Sequence, residues 1–413
     1  RRRRHGSLSC LAPRCYAVHG VTLFDLAASP VAAAMRIIPP LAAYTLSTKV
    51  SSGGFNLAAL HRSSRGIAIA CQSPESAGPS SVLPEVGAAL LVTGTAIGGG
   101  FLSLPYTTSP SGALPSAVLL FICWAFLLLE TLVVADLVTD NNESTGKLTS
   151  FASLWESAFG ELGGRILSAV FIVLMMTTLV SQISRAGSLI SSGLGLPYAV
   201  QCVWLSAALW AFTERSPPSL LSSANSVLTL GFVLALGSLC AVGLPLAVAE
   251  RLTRADWSAC GRAAPSLLQL LVFTEVVPTV CALLQNNRRS IRRALLMGSL
   301  LLLALQLGWS CLGIALAPFG GPRDPLDVLL SAGGPVAAAT VALGACATLT
   351  TVIGTNAALR AFWSDACGTR RAELCTPAFA LTALAPALLA AASKDAIFRA
   401  LDFAGAYPVA ILW

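Results

Sequence analysis

From Val86 to Leu129 the chain contains no Asp, Glu, Lys, Arg or His. Charge is scarce elsewhere too: 11% of the 413 residues are charged and 55% are hydrophobic, with a mean hydropathy of +0.76. That leaves too little polar surface for a water-soluble globular domain, so the chain belongs in a membrane. A bilayer span takes about 20 mainly apolar residues, so the uncharged run alone is long enough to cross twice. Histidine is almost absent. His5, His19 and His61 all precede the apolar part, which excludes histidine chemistry inside the membrane. The twelve cysteines form no CxxC pair and suit small apolar filler better than a metal or disulfide framework. The net charge of +7 is confined to residues 1–75, where nine Lys or Arg face only Asp25 and Glu75. The remainder is neutral, with no basic face for nucleic acid.

What is present falls into two parts. Residues 1–80 are rich in Arg, Ser and Ala and poor in acids, the composition of an organelle transit peptide followed by a disordered linker at Gln72 to Ser81. The stretch opening at Met35 reads as a plastid leader in its own right, with mitochondrial import as the alternative. Residues 81–413 form an all-α polytopic membrane domain. Apolar runs predict spans near 86–110, 113–138, 166–193, 198–213, 226–248, 265–285, 291–316, 335–362, 376–393 and from 400 onward. The last is too short to cross before Trp413, so a C-terminal truncation is expected. With the N-terminus inside, loops 139–165, 214–225, 286–293 and 360–374 hold ten Lys or Arg against six on the other side.

The first span carries VTGTAIGGGFLSLP, Val92 to Pro105, with four glycines and a proline where a continuous helix is least able to accept them. A break in hydrocarbon leaves backbone groups unpaired at several kcal/mol each, and it survives where it lines a polar cavity. Five spans later, LLQLLVFTEVVPTVCALL places Thr274 and Glu275 mid-span with Pro278 just after. Paired discontinuous helices in matching halves mark the binding site of inverted-repeat transporters. Pro105 and Pro278 cannot donate to the carbonyls of Phe101 and Thr274, so a freed acceptor is expected near each break. Close helix packing is the competing use of the glycines.

GTAIGGGFLSLP, then LLLETLVVADL, VFTEVVPTVCALLQNNRRSIRRALLMGS, GWSCLGIAL, TTVIGTNAALRAFWSD and LAPALLAAASKDAIFRALDFAGA, in that order, resemble the tryptophan/tyrosine permease family of aromatic amino acid transporters. The leader is similar to that of the plant and algal branch. The resemblance implies a LeuT-like five-plus-five inverted repeat with discontinuous first and sixth spans, of the amino acid, polyamine and organocation superfamily. It also implies symport of tyrosine or tryptophan with protons. Where bacterial members read Gly-Phe-His in the sixth span, this chain has Val272, Phe273 and Thr274.

An α-amino acid presents a carboxylate and an ammonium, and a broken helix offers groups for both. N–H groups at Gly98, Gly99, Gly100 and Phe101 suit the carboxylate, and carbonyls near Ala96, Ile97 and Thr274 suit the ammonium, with Thr95 adding a hydroxyl. Phe101, Phe273 and Trp309 are candidates for the wall around an aromatic side chain, core packing being the plainer use. Glu130 and Glu275 are the deepest acids. Either could carry a coupling proton, though a structural hydrogen bond is an alternative role for each. Thr350 and Thr351 could join first-span carbonyls around sodium, or bond back to their own helix. Arg185 is expected to snorkel to the interface. No cofactor or metal is called for. The expected partners are an amino acid, a proton or sodium ion, and lipid. An integral-membrane enzyme would need an acidic, histidine or cysteine cluster, and the sequence offers none.

Overall fold

A computed structural model describes residues 82–412 except 147, 195–196, 317–328, 331–332, 369–370 and 394–395. The expected leader lies outside them. The described elements are helical: α1 Val82–Ala96, α2 Leu104–Thr108, α3 Ala113–Thr145, α4 Phe151–Leu194, α5 Tyr198–Arg215, α6 Pro218–Gly243, α7 Cys260–Leu271, α8 Val277–Leu283, α9 Arg288–Leu316, α10 Gly334–Ala366, α11 Thr376–Ala392 and α12 Ala396–Ala404. A wider turn, Gly405–Val409, continues α12.

Seven of these stretches are long and apolar enough to cross a membrane, and α1 with the segment from Gly99 to Thr108, bent by 57°, makes an eighth. Two of the ten expected spans fall short of that measure. The 18-residue α5 carries Gln201, Thr213, Glu214 and Arg215, and α12 has 9 residues. The lipid-facing side is plain on α3, where Leu114, Val118, Ile122, Phe126, Leu129, Val133 and Leu137 are exposed at helical spacing while Leu120, Trp124, Leu127 and Thr131 are buried. A helix apolar on both faces is stable only where one face meets lipid.

Glycine sets two of the corners. Gly146, at φ 64° and ψ 17°, ends α3 by donating its N–H to Asn142 O at 3.0 Å. Gly160, at φ 72° and ψ 179°, bends α4, so a helical stretch from Phe151 precedes the expected third span. That backbone conformation is essentially restricted to glycine.

In span numbers, α1 and α2 form the first, α3 to α6 the second to fifth, α7 and α8 the sixth, and α9 to α12 the seventh to tenth. The first span packs on the fifth and seventh, and the sixth on the tenth and second. The third packs on the eighth and tenth, and the eighth on the third and fifth, while the fourth meets the ninth. Advancing every number by five maps this set of contacts onto itself, as a five-plus-five inverted repeat requires.

The ends of the bundle sort as the charge pattern predicts. Arg288 pairs with Asp140 and with Glu143 (3.0 Å), Arg292 with Asp136 (2.8 Å), and Arg293 lies 3.8 Å from Glu85. Asp365 accepts from Ser150 Oγ at 2.5 Å and Ser153 N at 3.3 Å, and Arg360 donates to Thr213 O at 2.6 Å. The four loops assigned to one side therefore meet on one face. At the opposite end Arg251 donates to the terminal carbonyls of α9, Ala315 O (3.0 Å) and Leu316 O (2.8 Å), and Asp256 N donates to Ser111 O at 2.8 Å.

Candidate functional site

The first span stops being an α-helix at Ala96. Ile97 still donates to Thr93 O at 3.0 Å, but Gly98 is extended (φ −102°, ψ −179°) and its N–H turns to Ala96 O at 3.0 Å. A tight turn, Gly99–Ser103, then leads into α2. Each residue from Thr95 to Phe101 is buried. Unwinding and close packing both occur here. A Cβ on Gly98 would lie 2.5 Å from Gln182 Nε2, and one on Gly99 would lie 2.9 Å from Arg185 Cβ and Cγ and from Thr348 Cγ2. One on Gly100 would strike Leu270, while Gly94, still helical, packs on Thr229 and Asn225.

The sixth span breaks at Val272 and Phe273 (φ −139°, ψ 3°), followed by a tight turn at Thr274–Val276. Phe273, Thr274 and Glu275 are buried. The acceptors expected to be free are not. Leu104 N–H donates to Phe101 O, and Val277 N–H to Thr274 O. The prolines remove the i+4 donor, and the backbone answers by tightening to i+3 bonds. Within the turn that follows the first break, Phe101 N–H is also committed, to Gly98 O at 2.9 Å. At the end of α7 the carbonyl of Leu270 is met by a side chain, Gln306 Nε2, at 2.7 Å.

Glu130 reaches this second break. Its Oε2 accepts from Thr274 Oγ1 at 2.8 Å, and Thr274 Oγ1 lies 2.7 Å from Thr131 Oγ1. Glu130 Oε1 is buried without a hydrogen-bond partner among the described residues. The second and sixth spans are thus joined through an acid and two hydroxyls. Glu275 sits one residue on, in the turn itself, 7% exposed.

The hydroxyls of Thr350 and Thr351 reach both the first span and their own helix. Thr351 Oγ1 donates toward Thr95 O (3.0 Å) and Ile97 O (2.9 Å), and Thr350 Oγ1 lies 3.3 Å from Ile97 O. Both hydroxyls also reach back to Ala347 O in their own helix, at 3.2 and 2.9 Å. Four oxygens from two spans are gathered at the break. Phe101 stacks on Trp309 (5.8 Å between centroids, 15°) and meets Phe232 edge-on (4.9 Å, 82°), an aromatic wall attached to the broken turn itself.

Arg185 does not snorkel. It is 6% exposed, with its stem against Gly99. Gln182, three residues earlier on the same face of α4, accepts the Gly99 N–H with Oε1. Gln182, Gln306 and Phe232 were not singled out from the sequence. Gln182 and Arg185, the two bulkiest polar side chains of the third span, three apart amid small Ser and Thr hydroxyls, were the available signal for themselves; Phe232, one apolar residue among many, offered none.

A bundle with two interrupted spans at matching positions, buried polar backbone at both, and reciprocal helix packing has the fold of inverted-repeat transporters. A Na+-coupled sialic acid symporter in its substrate-bound outward-open state has a similar fold, with a TM-score of 0.58 at 15% identity, covering 78% of this chain and 75% of that one. The manganese transporter of Eremococcus coleocola is similar too, with a TM-score of 0.55 at 15% identity, covering 82% of this chain and 78% of that one. The chain belongs to the tryptophan/tyrosine permease family, whose model matches residues 84–413. It is 27% identical over 231 residues to the Tyrosine-specific transport system 2 of Haemophilus influenzae and over 228 residues to system 1 of the same organism. Those matches cover 54% of this chain and 56% of each relative, so the chain spans little more than half the length of the curated relatives it matches. It is an integral membrane protein of a permease family, and the membrane-enzyme alternative is set aside.

Proposed function

We propose that this protein is a secondary transporter that carries tyrosine or tryptophan in symport with a proton, by alternating access around the two breaks. The observation that carries this is the pair of buried interruptions, at Ile97–Gly98 and Val272–Phe273, in spans related by the repeat. The names of the Haemophilus relatives support the substrate class. The carboxylate is taken at the N–H groups of Gly99 and Gly100, and the ammonium at the carbonyls around Ala96 and Ile97 with Thr95 beside them. The aromatic ring lies against Phe101, Trp309 and Phe273, and Thr274 and Glu275 close the opposite side. Glu130 is the proton carrier that best fits the geometry, because its bond to Thr274 ties its protonation to the sixth-span break. Glu275 is the second candidate. Residues 1–80 serve as the leader to a plastid membrane, on composition alone.

A specific observation favours a second coupling ion. Thr95 O, Ile97 O and the hydroxyls of Thr350 and Thr351 form an oxygen cluster in which a hard monovalent cation would replace the hydroxyl hydrogens as partner. Uptake of labelled tyrosine into proteoliposomes, driven first by a pH gradient and then by a sodium gradient, separates the two. Proton coupling predicts accumulation under the pH gradient alone, and loss of that response in Glu130→Gln. Accumulation driven only by sodium would overturn it in favour of the threonine cluster.

A further inference from the structure

The N–H of Gly99, the donor that the first break offers to a substrate carboxylate, is already held by Gln182 Oε1. The whole amide group fills the space in front of the break: its Nε2 and Oε1 stand 2.5 and 2.9 Å from where a Cβ on Gly98 would be. Gln182 is 3% exposed, and its Nε2 donates to Ser181 Oγ at 3.2 Å. One helical turn on, the buried Arg185 lays its stem against Gly99. A glutamine amide oxygen on a backbone N–H is the neutral counterpart of one carboxylate oxygen, in shape and in hydrogen-bond role.

We propose that Gln182 is the resident placeholder for the amino acid's carboxylate. It holds Gly99 N–H while the site is empty and is displaced when the substrate enters, which makes it a specificity-determining residue. This rests on the breaks being an amino acid site. While the site is empty the placeholder keeps the buried Gly99 N–H paired. A charged acceptor makes a stronger bond to the same N–H than a neutral amide does, so a carboxylate displaces the glutamine. An amine that lacks the carboxylate has nothing to displace it with. Selectivity for amino acids over their decarboxylated amines follows from one exchange of acceptors.

The test uses the full chain, purified, with direct binding of labelled tyrosine and labelled tyramine to the wild type, Gln182→Glu and Gln182→Asn. In Gln182→Glu a fixed carboxylate stays on Gly99. Tyrosine binding is expected to fall at least tenfold, and tyramine is expected to bind Gln182→Glu but not the wild type. In Gln182→Asn the side chain is one methylene too short to hold Gly99, and tyrosine affinity is expected to tighten severalfold. Thermal unfolding identifies which variants are folded, and the Asn variant decides if the Glu variant is not. Wild-type tyrosine affinity in folded Gln182→Glu, or a tyrosine affinity no tighter than wild type in folded Gln182→Asn, overturns the inference alone. A wild type that binds no tyrosine overturns the amino acid site and this inference with it.

Discussion

Adding one methyl group at Gly99 distinguishes a tightly packed break from a loose loop. In Gly99→Ala the new Cβ would stand 2.9 Å from Arg185 Cβ, Arg185 Cγ and Thr348 Cγ2, where ordinary contact begins near 3.4 Å. Arg185 Cβ is fixed to the backbone of α4, so about half an ångström must be found by moving helices, not by turning a side-chain tip. Overpacking of this kind costs about 1–3 kcal/mol. Gly87, lower on α1, has nothing within 4 Å of its Cβ position, so Gly87→Ala meets no obstacle and should gain about 0.5–1 kcal/mol from helix propensity. The two variants should therefore separate by about 1.5–4 kcal/mol, in opposite directions from the wild type. Unfolding followed by tryptophan fluorescence measures that gap in detergent. Equal stabilities would refute the close approach of α4 and α10 to the break. Gly99→Val, bulkier still, should insert into membranes but abolish uptake.

Other contacts give further tests. Thr274→Val keeps the shape of the second break but removes the donor to Glu130 and the partner of Thr131. A loss of about 1–3 kcal/mol is expected in the same unfolding assay, and little loss would mean that these groups re-pair with water. Gln306→Leu orphans the carbonyl of Leu270 at the end of α7, with a similar cost, and amide exchange should rise at residues 271–274. Gly160→Ala places a side chain at φ 72°, with no neighbour within 4 Å to clash, so any loss, about 1–3 kcal/mol, reports backbone strain alone. In the exposed loop before α7, Asp256 accepts from Ser258 Oγ and N, which holds its carboxyl below the usual range. Its contribution to that turn is present above the ordinary carboxylate pKa and is lost as pH falls through the depressed value. Asp256→Ala should loosen residues 257–259 in amide exchange at neutral pH and make no difference in strong acid.

Both breaks were legible because glycine and proline announce them: GTAIGGGFLSLP cannot run as one helix, and FTEVVP repeats the interruption five spans on. That spacing fits an inverted repeat, which the resemblance to the permease family implied. What the prolines do next was not legible. The loss of an i+4 donor at Phe101 and Thr274 is written in the sequence, but the compensating i+3 bonds from Leu104 and Val277 are a local conformational choice. The wall of the site was harder still, because Gln182 and Arg185 reach Gly99 across more than eighty residues of chain, and only the packing of α4 on the break reveals it. Arg185 was misjudged because position along a span says nothing about which face is buried. The bend at Gly160 was hidden among Gly163 and Gly164, equally suited by type. Thr350 and Thr351 lie by the first-span carbonyls, as the sequence suggested, and they also bond back to Ala347 in their own helix.

Exchange of amino acids across a sealed membrane tests the central claim most directly, since it needs no ion gradient. Proteoliposomes holding the full chain are loaded with unlabelled tyrosine and diluted into a trace of labelled tyrosine. Transient accumulation of label is expected, equalled or approached when tryptophan is the internal substrate, weak with leucine, and absent in Gly99→Val. Accumulation that is the same for leucine would contradict an aromatic site. No accumulation with any amino acid would contradict the assignment of the two broken spans as a transport site.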